Sequence, residues 1–313
     1  MKKDSTMDIA FSTDDNYVKH LSACIASILC NAGKCDHFNF YILNSGLKEA
    51  NKQKLLKLKK IKNFNMSFLE VNQQDFNICP LTTQHITINA YYRYLIPKLL
   101  KELPKVLYLD CDIIVKNSLR ELFNTDITDK YAAVVTDIAP IVDNLKVKEK
   151  LEVTKYFNSG VMLLNINEMN KDNIVDRLFE NTIKLSSENK ITWVDQCVLN
   201  YTLKDKLKFV PQKYNLQLSF FRDKEYVLKY VSQEEYNDAI KNTAIIHYTT
   251  DKKPWNCDYK FKTGKEYFRY LDKTCFARSR FEKIFSIRNS YDKKHKVINL
   301  LGIKLKIKRK VNM

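Results

Sequence analysis

Short apolar runs alternate with longer amphipathic stretches along most of the chain. The runs that predict strands lie at residues 7–12, 38–43, 66–71, 106–109, 131–136, 161–166 and 243–248. The stretches that predict helices lie at residues 16–31, 48–60, 89–100, from about 167, and 193–203. Asp15 or Asn16 is placed to cap the first helix. This order predicts an α/β fold whose central, mostly parallel sheet is flanked by helices on both faces.

The pattern changes near residue 265. Residues 303–308 alternate Ile or Leu with Lys, which predicts an amphipathic strand or a segment lying on a surface. We therefore divide the chain into a catalytic domain at 1–265 and a basic C-terminal extension at 266–313. Of the net charge of +17, residues 278–313 contribute +10, from twelve Lys or Arg and two acids. Such a segment favours an anionic partner, such as a membrane surface, nucleic acid or an acidic glycan.

Composition excludes several nucleotide-binding motifs. Only five glycines occur, and they are too far apart for a G-x-x-x-x-G-K-[ST] loop or a G-x-G-x-x-G turn. The eight cysteines form no C-x-x-C pair, which argues against a zinc site and predicts buried thiols in a reducing compartment. The first fifteen residues resemble no secretory signal, and no apolar run reaches ~18 residues. These features predict a cytoplasmic protein.

Two carboxylates follow the apolar run at 106–109. Asp110 and Asp112 are two residues apart, so in an extended segment they face the same side, at the sheet edge where α/β proteins bind ligands. Adjacent carboxylates repel each other unless a cation joins them, and a hard divalent ion would also bridge to a diphosphate. The plainer interpretation is a turn whose acids are solvated or paired with Lys116.

Six segments, one of which contains these two aspartates, follow one another along the chain. They are Phe11-Ser12-Thr13-Asp14-Asp15-Asn16-Tyr17, Asn89-Ala90-Tyr91-Tyr92-Arg93-Tyr94, Tyr108-Leu109-Asp110-Cys111-Asp112, Phe157-Asn158-Ser159-Gly160-Val161, Trp193-Val194-Asp195-Gln196-Cys197 and His247-Tyr248-Thr249-Thr250-Asp251-Lys252-Lys253-Pro254-Trp255. Together they resemble glycosyltransferase family 8, particularly its bacterial lipopolysaccharide and lipooligosaccharide α-galactosyl- and α-glucosyltransferases. One departure is Thr250, where that family usually has glycine.

The resemblance implies a GT-A nucleotide-sugar-binding fold and the retaining transfer of galactose or glucose from a UDP-sugar to a saccharide or glycolipid acceptor. It implies synthesis of lipopolysaccharide, lipooligosaccharide or another cell-surface glycan. It also implies one Mn²⁺ or Mg²⁺ on Asp110, Asp112 and His247. The residues expected to contact the donor are Ser12, Thr13, Asp14, Asn16, Tyr17, Arg93, Asp110, Cys111, Asp112, Asn158, Ser159, Asp195, Gln196, His247, Thr250 and Lys253. The catalytic candidates are Asp195, Gln196 and Asp137, the last for acceptor binding.

In this resemblance, Gln196 takes the position below the reacting carbon, and its side chain is an amide. An amide is a poor nucleophile, whereas retaining glycosidases use a carboxylate there. We therefore favour departure of UDP and attack of the acceptor on the same face, with Gln196 stabilising positive charge. Double displacement remains the alternative.

Several of these residues also have plainer interpretations. Arg93 fits a surface residue packed on tyrosines, His247 a satisfied core histidine, and Lys253 one lysine among many. Two other functions follow from the charge: a basic nucleic-acid-binding protein, or a non-catalytic scaffold at a membrane surface. Because the charge is concentrated in the tail and no basic–aromatic module occurs, we expect no nucleic-acid partner. We expect the tail to attach the protein to the inner face of the cytoplasmic membrane.

Overall fold

A computed structural model describes residues 6–83 and 86–308. The strands in this part of the chain are β1 (Thr6–Ser12), β2 (His37–Asn44), β3 (Asn65–Glu70), β4 (Lys105–Leu109), β5 (Ile113–Val115), β6 (Ala132–Thr136), β7 (Phe157–Asn165), β8 (Leu207–Phe209), β9 (Ile245–His247), β10 (Phe285–Asn289), β11 (His295–Leu300) and β12 (Ile303–Lys308). All seven predicted strands are present, with bounds shifted by a few residues.

The α-helices are α1 (Val18–Cys30), α2 (Glu49–Leu56), α3 (Ile96–Leu99), α4 (Arg120–Phe123), α5 (Pro140–Asn144), α6 (Val147–Leu151), α7 (Ile166–Lys171), α8 (Ile174–Ser187), α9 (Val194–Leu203), α10 (Ser219–Arg222), α11 (Lys224–Val227), α12 (Gln233–Lys241), α13 (Gly264–Leu271) and α14 (Arg280–Ile284). Short 3₁₀ helices span Lys57–Lys60, Gln73–Phe76, Ile88–Leu95, Lys204–Lys206 and Gln212–Tyr214. The helix expected at 89–100 is thus largely 3₁₀.

The main sheet has seven strands in the order β3-β2-β1-β4-β7-β6-β8. Every strand except β7 runs in the same direction, so the predicted mostly parallel sheet is confirmed. The reversal of β7 follows from its connection. Thr136, the last residue of β6, pairs directly with Phe157, so the chain between them stays at one edge and β7 runs back from that edge. The amino end of β7 therefore lies beside the carboxyl ends of its neighbours.

The run at 243–248 forms a buried strand as predicted, but this strand lies outside the main sheet. Strand β9 pairs with the three-residue strand β5 in a separate antiparallel ribbon, with His247 opposite Ile113. The backbone N–H of Tyr248 also donates to the carbonyl of Asp112 at 3.0 Å. This pairing brings His247 next to the two aspartates, although more than 130 residues separate them along the chain.

Side chains alternate between the two faces of the sheet and build two apolar cores. Ile9 and Phe11 pack on the face covered by α1 and α13, whereas Ala10 packs on the face covered by α8 and α9. Three residues of α13, namely Tyr267, Tyr270 and Leu271, are buried in the first of these cores. Residue 265 lies inside α13, so packing against the main core continues beyond it, to the end of that helix.

The basic extension is folded in the part that the structure describes. Strands β10, β11 and β12 form a three-stranded antiparallel sheet, which we name the C-terminal sheet. The strand predicted from the alternation at 303–308 is confirmed as β12. Within residues 6–83 and 86–308, no helix combines the length and apolar character needed to cross a bilayer.

All eight cysteines are free thiols. Five are buried as expected, but Cys30, Cys35 and Cys275 are exposed because they lie at helix ends or in loops rather than on core-facing positions.

Candidate active site

A cavity of about 810 Å³ lies where the carboxyl ends of β1, β4 and β6 meet the amino end of β7. All the predicted site residues line this cavity except Asn16, which is exposed on the loop after β1. The carboxyl edge of an open α/β sheet is the usual position of a ligand site. The motifs that are dispersed along the sequence therefore converge on one cavity.

The loop after β1 is organised by Asp14. Its Oδ1 accepts hydrogen bonds from the backbone N–H groups of Asn16 and Tyr17, both at 2.9 Å, and its Oδ2 accepts one from Asn89 Nδ2 at 3.0 Å. Helix α1 begins after Tyr17 without a side-chain cap, so the predicted capping by Asp15 or Asn16 is wrong. Asp15 instead accepts from Asn51 on helix α2, at 2.7 Å.

Asp110, Asp112 and His247 form a cluster whose ligand atoms lie within 4.8 Å of one another. His247 Nε2 is 3.1 Å from Asp112 Oδ1 and 3.7 Å from Asp110 Oδ2. Gly160 faces this cluster, and a Cβ there would lie 2.3 Å from His247 Cε1 and 2.6 Å from Asp110 Oδ2. Any larger residue would displace the cluster, so glycine is required by close approach rather than by backbone conformation. Two carboxylates and one imidazole nitrogen are suitable ligands for a divalent cation.

A chain of buried amides orients His247. Asp137 Oδ2 accepts from Gln196 Nε2 at 3.0 Å, Gln196 Oε1 from Asn158 Nδ2 at 3.1 Å, and Asn158 Oδ1 from Asn215 Nδ2 at 3.0 Å. Asn215 Oδ1 then lies 2.9 Å from His247 Nδ1. The backbone N–H of Ser159 donates to Gln196 Oε1 and that of Gly160 to Asn158 Oδ1, both at 3.1 Å, and these backbone donors fix the direction of the amides. Asn215 Oδ1 can therefore accept the Nδ1–H of His247, and in that tautomer Nε2 is free to act as a ligand beside the two aspartates.

Arg93 is buried between two carboxylates, so its interpretation as a surface residue is wrong. Its guanidinium lies 3.0 Å from Asp110 Oδ1 and 3.1 Å from Asp195 Oδ2, and it donates to the carbonyl of Ser159 at 2.6 Å. The guanidinium also lies over the Tyr108 ring, 4.4 Å from its centroid. Burial raises the pKa of Asp195 to about 6, although Arg93 opposes the rise. Arg93 thus compensates the negative charge of two of the predicted site residues.

Lys253 is buried and balances the charge on Asp112. Its Nζ lies 2.5 Å from Asp112 Oδ2 and also donates to the carbonyl of Tyr248. Although burial alone would raise the pKa of Asp112, Lys253 and His247 hold it well below its usual value. Asp112 is therefore ionised at neutral pH. The alternative pairing with Lys116 is wrong, because Lys116 contacts Glu266 instead.

The loop at 249–256 carries Lys253 and forms one wall of the cavity. Thr250 has φ +74°, a left-handed conformation that is costly for a β-branched residue and free for glycine. Trp255 fixes the second half of the loop, because its ring stacks on His20 at 4.0 Å and packs against Tyr267 at 4.5 Å between centroids. Trp255 thus anchors the loop that carries Lys253.

Sequence reasoning missed two residues of this region. Asn215 lies outside the recognised motifs, and it reaches His247 only because the Leu216–Ile246 bridge places its segment beside β9. Tyr291 lies in the segment interpreted as a tail, yet it lines the cavity. Both positions depend on contacts between distant segments, for which the sequence contains no local signal.

Several known proteins are similar to this chain in sequence or in fold. The profile of the family described as Glycosyl transferase family 8 matches residues 8–258. General stress protein A of Bacillus subtilis (strain 168) is 30% identical over 276 residues, covering 88% of this chain and 96% of that protein. A lipopolysaccharide 1,2-glucosyltransferase of Escherichia coli is 29% identical over 278 residues, covering 85% and 78%. The crystal structure of galactosyltransferase LgtC in complex with donor and acceptor sugar analogs matches with TM-score 0.77 and 25% identity, covering 88% of this chain and 99% of that one. The similarity confirms the predicted GT-A fold.

Proposed function

The chain belongs to glycosyl transferase family 8 and is a glycosyltransferase, and from this membership we propose that it transfers a hexose from a UDP-sugar to a saccharide acceptor with retention of configuration. The observation that carries the proposal is the convergence of Asp110, Asp112 and His247 in one large cavity. That cavity also contains the loop after β1 and Lys253, which the resemblance assigns to the two ends of a nucleotide diphosphate. Relatives named as glucosyl- and galactosyltransferases support a hexose as the transferred sugar.

The cluster fits a divalent cation, proposed here as Mn²⁺ or Mg²⁺. Asp110 and Asp112 would supply carboxylate oxygens, and His247 would supply Nε2, since Asn215 holds the proton on Nδ1. When bound, such an ion neutralises the charge that develops on a leaving diphosphate. Lys253 would place a second positive charge beside the same group.

Gln196 is proposed to act below the reacting carbon, and Asp137, its hydrogen-bond partner, to bind the acceptor. Gln196 Oε1 accepts from Asn158 Nδ2 and from the backbone N–H of Ser159, each at 3.1 Å, and Gln196 Nε2 is bound to Asp137. The side chain is therefore held rigidly, as electrostatic stabilisation of positive charge requires. Burial raises the pKa of Asp137, which suits a carboxyl group that binds an acceptor hydroxyl in a partly dehydrated cavity.

The nucleotide assignment is tested with the protein alone. We expect UDP with Mn²⁺ to raise the melting temperature, since a ligand that binds only the folded state stabilises it, whereas GDP with Mn²⁺ should have little effect. Slow hydrolysis of UDP-galactose or UDP-glucose without an acceptor should accompany this protection. Equal protection by GDP would contradict the uracil assignment, and full hydrolysis in EDTA would contradict the metal.

We further propose that the C-terminal sheet attaches the protein to an anionic membrane surface, where a glycolipid acceptor would be found. One face of this sheet exposes large apolar side chains, with 51–71% of each accessible, at Ile287, Leu300, Ile303, Leu305 and Ile307. Residues 278–313 carry +10, and a polybasic segment gains about 1 kcal/mol per Lys or Arg near an anionic leaflet. Apolar insertion and charge attraction would therefore act together.

Vesicle sedimentation tests this attachment. The full chain should co-sediment with vesicles containing phosphatidylglycerol and much less with purely phosphatidylcholine vesicles. Replacing Ile303, Leu305 and Ile307 by serine should reduce co-sedimentation while leaving hydrolysis of UDP-sugars unchanged, since these side chains are exposed and do not line the cavity. If the full chain ignores both vesicle types, the attachment proposal fails and the enzyme proposal is unaffected.

A further inference from the structure

The C-terminal sheet contacts the 249–256 loop along its length. Arg288 Nη1 donates to the carbonyl of Pro254 at 2.9 Å, and the N–H of Asp258, just after the loop, donates to the carbonyl of Asn289 at 2.7 Å. Lys293 Nζ lies 2.5 Å from Asp251 Oδ2. These contacts tie an element outside the family-matched residues 8–258 to a wall of the cavity.

The turn between β10 and β11, residues 290–294, also reaches the cavity. Tyr291 in this turn is one of the lining residues, and Lys252 lies over its ring, 4.7 Å from the centroid. The ring of Tyr291 packs edge-on against Phe261, with centroids 6.0 Å apart. The turn therefore packs against the first half of the loop.

The two halves of the loop differ in what holds them. Trp255 fixes the second half on His20 and Tyr267, and the C-terminal sheet adds the hydrogen bond from Arg288 to the carbonyl of Pro254. The first half contains Thr250 in a left-handed conformation, and a strained backbone persists only where its surroundings impose it. Its contacts include the hydrogen bond from Asn256 Nδ2 to the carbonyl of Asp251 and those with Tyr291 and Lys293.

We propose that the C-terminal sheet is a positioning element of the active site, whose 290–294 turn holds the first half of the 249–256 loop against the donor diphosphate. Lys293 and Tyr291 are positioning residues in this arrangement, acting through Asp251 and Lys252. The identity of the ligand, a donor diphosphate, rests on the proposed UDP-sugar function. The ordering of the loop by the turn does not depend on that function. Removing the extension is therefore expected to weaken donor binding as well as membrane attachment.

The test compares two neighbouring lysines in the full-length protein. Lys293→Ala breaks the pair with Asp251, whereas Lys294→Ala removes an exposed lysine of the same turn and serves as the matched control. With UDP and Mn²⁺ as the probe, we expect Lys293→Ala to raise Kd about two- to fivefold, the range that a partly exposed ion pair supports. The KM for UDP-sugar hydrolysis should rise by the same factor with kcat unchanged, and Lys294→Ala should match the wild type.

Two further measurements separate positioning from general stability. Exchanging the charges, as Asp251→Lys with Lys293→Asp, should recover most of the affinity lost in either single variant. Hydrogen exchange at the amides of residues 249–252 should accelerate in Lys293→Ala, while the amides of α13 stay unchanged. Equal UDP affinity and equal exchange in the two lysine variants would overturn the proposal. If the wild type binds no UDP, the function proposal fails, and the hydrogen exchange still decides whether the turn orders the loop.

Discussion

The two ends of the cavity are built from different kinds of structure. At the metal-site end, Asp110, Asp112 and His247 follow or end strands, are largely buried, and are held by hydrogen bonds of about 3 Å to buried partners. At the loop end, residues 249–252 are held by the C-terminal sheet, partly through the exposed pair of Lys293 with Asp251, whereas Lys253 of the same loop reaches Asp112 at the first end. Under the proposed function, the end built on rigid strands would perform the chemistry and the end with adjustable contacts would admit the donor.

Electrostatics separates the two ends as well. Arg93 and Lys253 are buried beside Asp110, Asp195 and Asp112, so removing one partner leaves a buried charge uncompensated. Lys293 and Asp251 are half-exposed, at 51% and 37% of their side chains, where solvent screens the interaction. The same type of ion pair should therefore contribute strongly at the first end and weakly at the second.

The largest effect is expected at the metal-site end. Asp112→Asn should lower hydrolysis of UDP-sugars by about two orders of magnitude or more, since metal stabilisation of a leaving group contributes several kcal/mol. Steady-state rates with saturating Mn²⁺ measure this, with the exposed carboxylate of Asp205 changed to Asn as the control. A loss no larger than that of Lys293→Ala would remove the distinction between the two ends.

A smaller effect is expected for the residue behind His247. Asn215→Leu removes the acceptor that keeps the proton on His247 Nδ1, and loss of such a partner typically costs about 10–100-fold in metal affinity. Asn215→Asp keeps an acceptor at this position and should retain more affinity. Calorimetric titration of Mn²⁺ without nucleotide compares the two variants. Equal affinity in wild type and Asn215→Leu would show that the amide chain does not orient the ligand.

The residues of the metal-site end differ in how far the sequence could predict their positions. Asp110 and Asp112 are adjacent and follow an apolar run, so local pattern and extended geometry suffice to place them at a sheet edge. The β5–β9 ribbon, the reversal of β7 and the role of Asn215 depend on pairing between segments far apart in the chain. No periodicity in a single sequence encodes such pairing, and only the resemblance to a family connected His247 with the aspartates.

Only the local features of the C-terminal sheet could be predicted from the sequence. Alternation at 303–308 identified β12, because a period of two residues is a local property. The contacts of Arg288, Tyr291 and Lys293 with the 249–256 loop are not local, and charge counting alone represented this region as a tail. Net charge indicates partners and solubility rather than fold, so it could not reveal the packing.

The pH dependence of the reaction rate is a further test of the metal-site end. Burial raises the pKa of Asp195 to about 6, so its carboxylate, which pairs with Arg93, predominates above that pH. Protonation between pH 7 and pH 5 removes the negative charge facing Arg93, and we expect kcat for UDP-sugar hydrolysis to fall across this interval. In Asp195→Asn the rate should be lower at pH 7, and this part of the pH profile should be absent. A profile that is identical in both proteins would assign the titration to another group.

The smallest effect is expected at Thr250, in the loop end. A non-glycine residue at φ +74° costs about 1–2 kcal/mol, whereas glycine adopts this conformation freely but loses about 0.5–1 kcal/mol through the entropy of the unfolded chain. Thr250→Gly should therefore stabilise the protein by about 0–1.5 kcal/mol, a rise of up to roughly 2 °C in Tm for a chain of this size. Thr249→Gly is the matched control, because Thr249 does not have a positive φ and gains nothing from glycine, so it should lower Tm. Scanning calorimetry of both variants, with and without UDP and Mn²⁺, measures the difference. Destabilisation of equal size in both would show that the loop end carries no backbone strain and that its conformation needs no support from the C-terminal sheet.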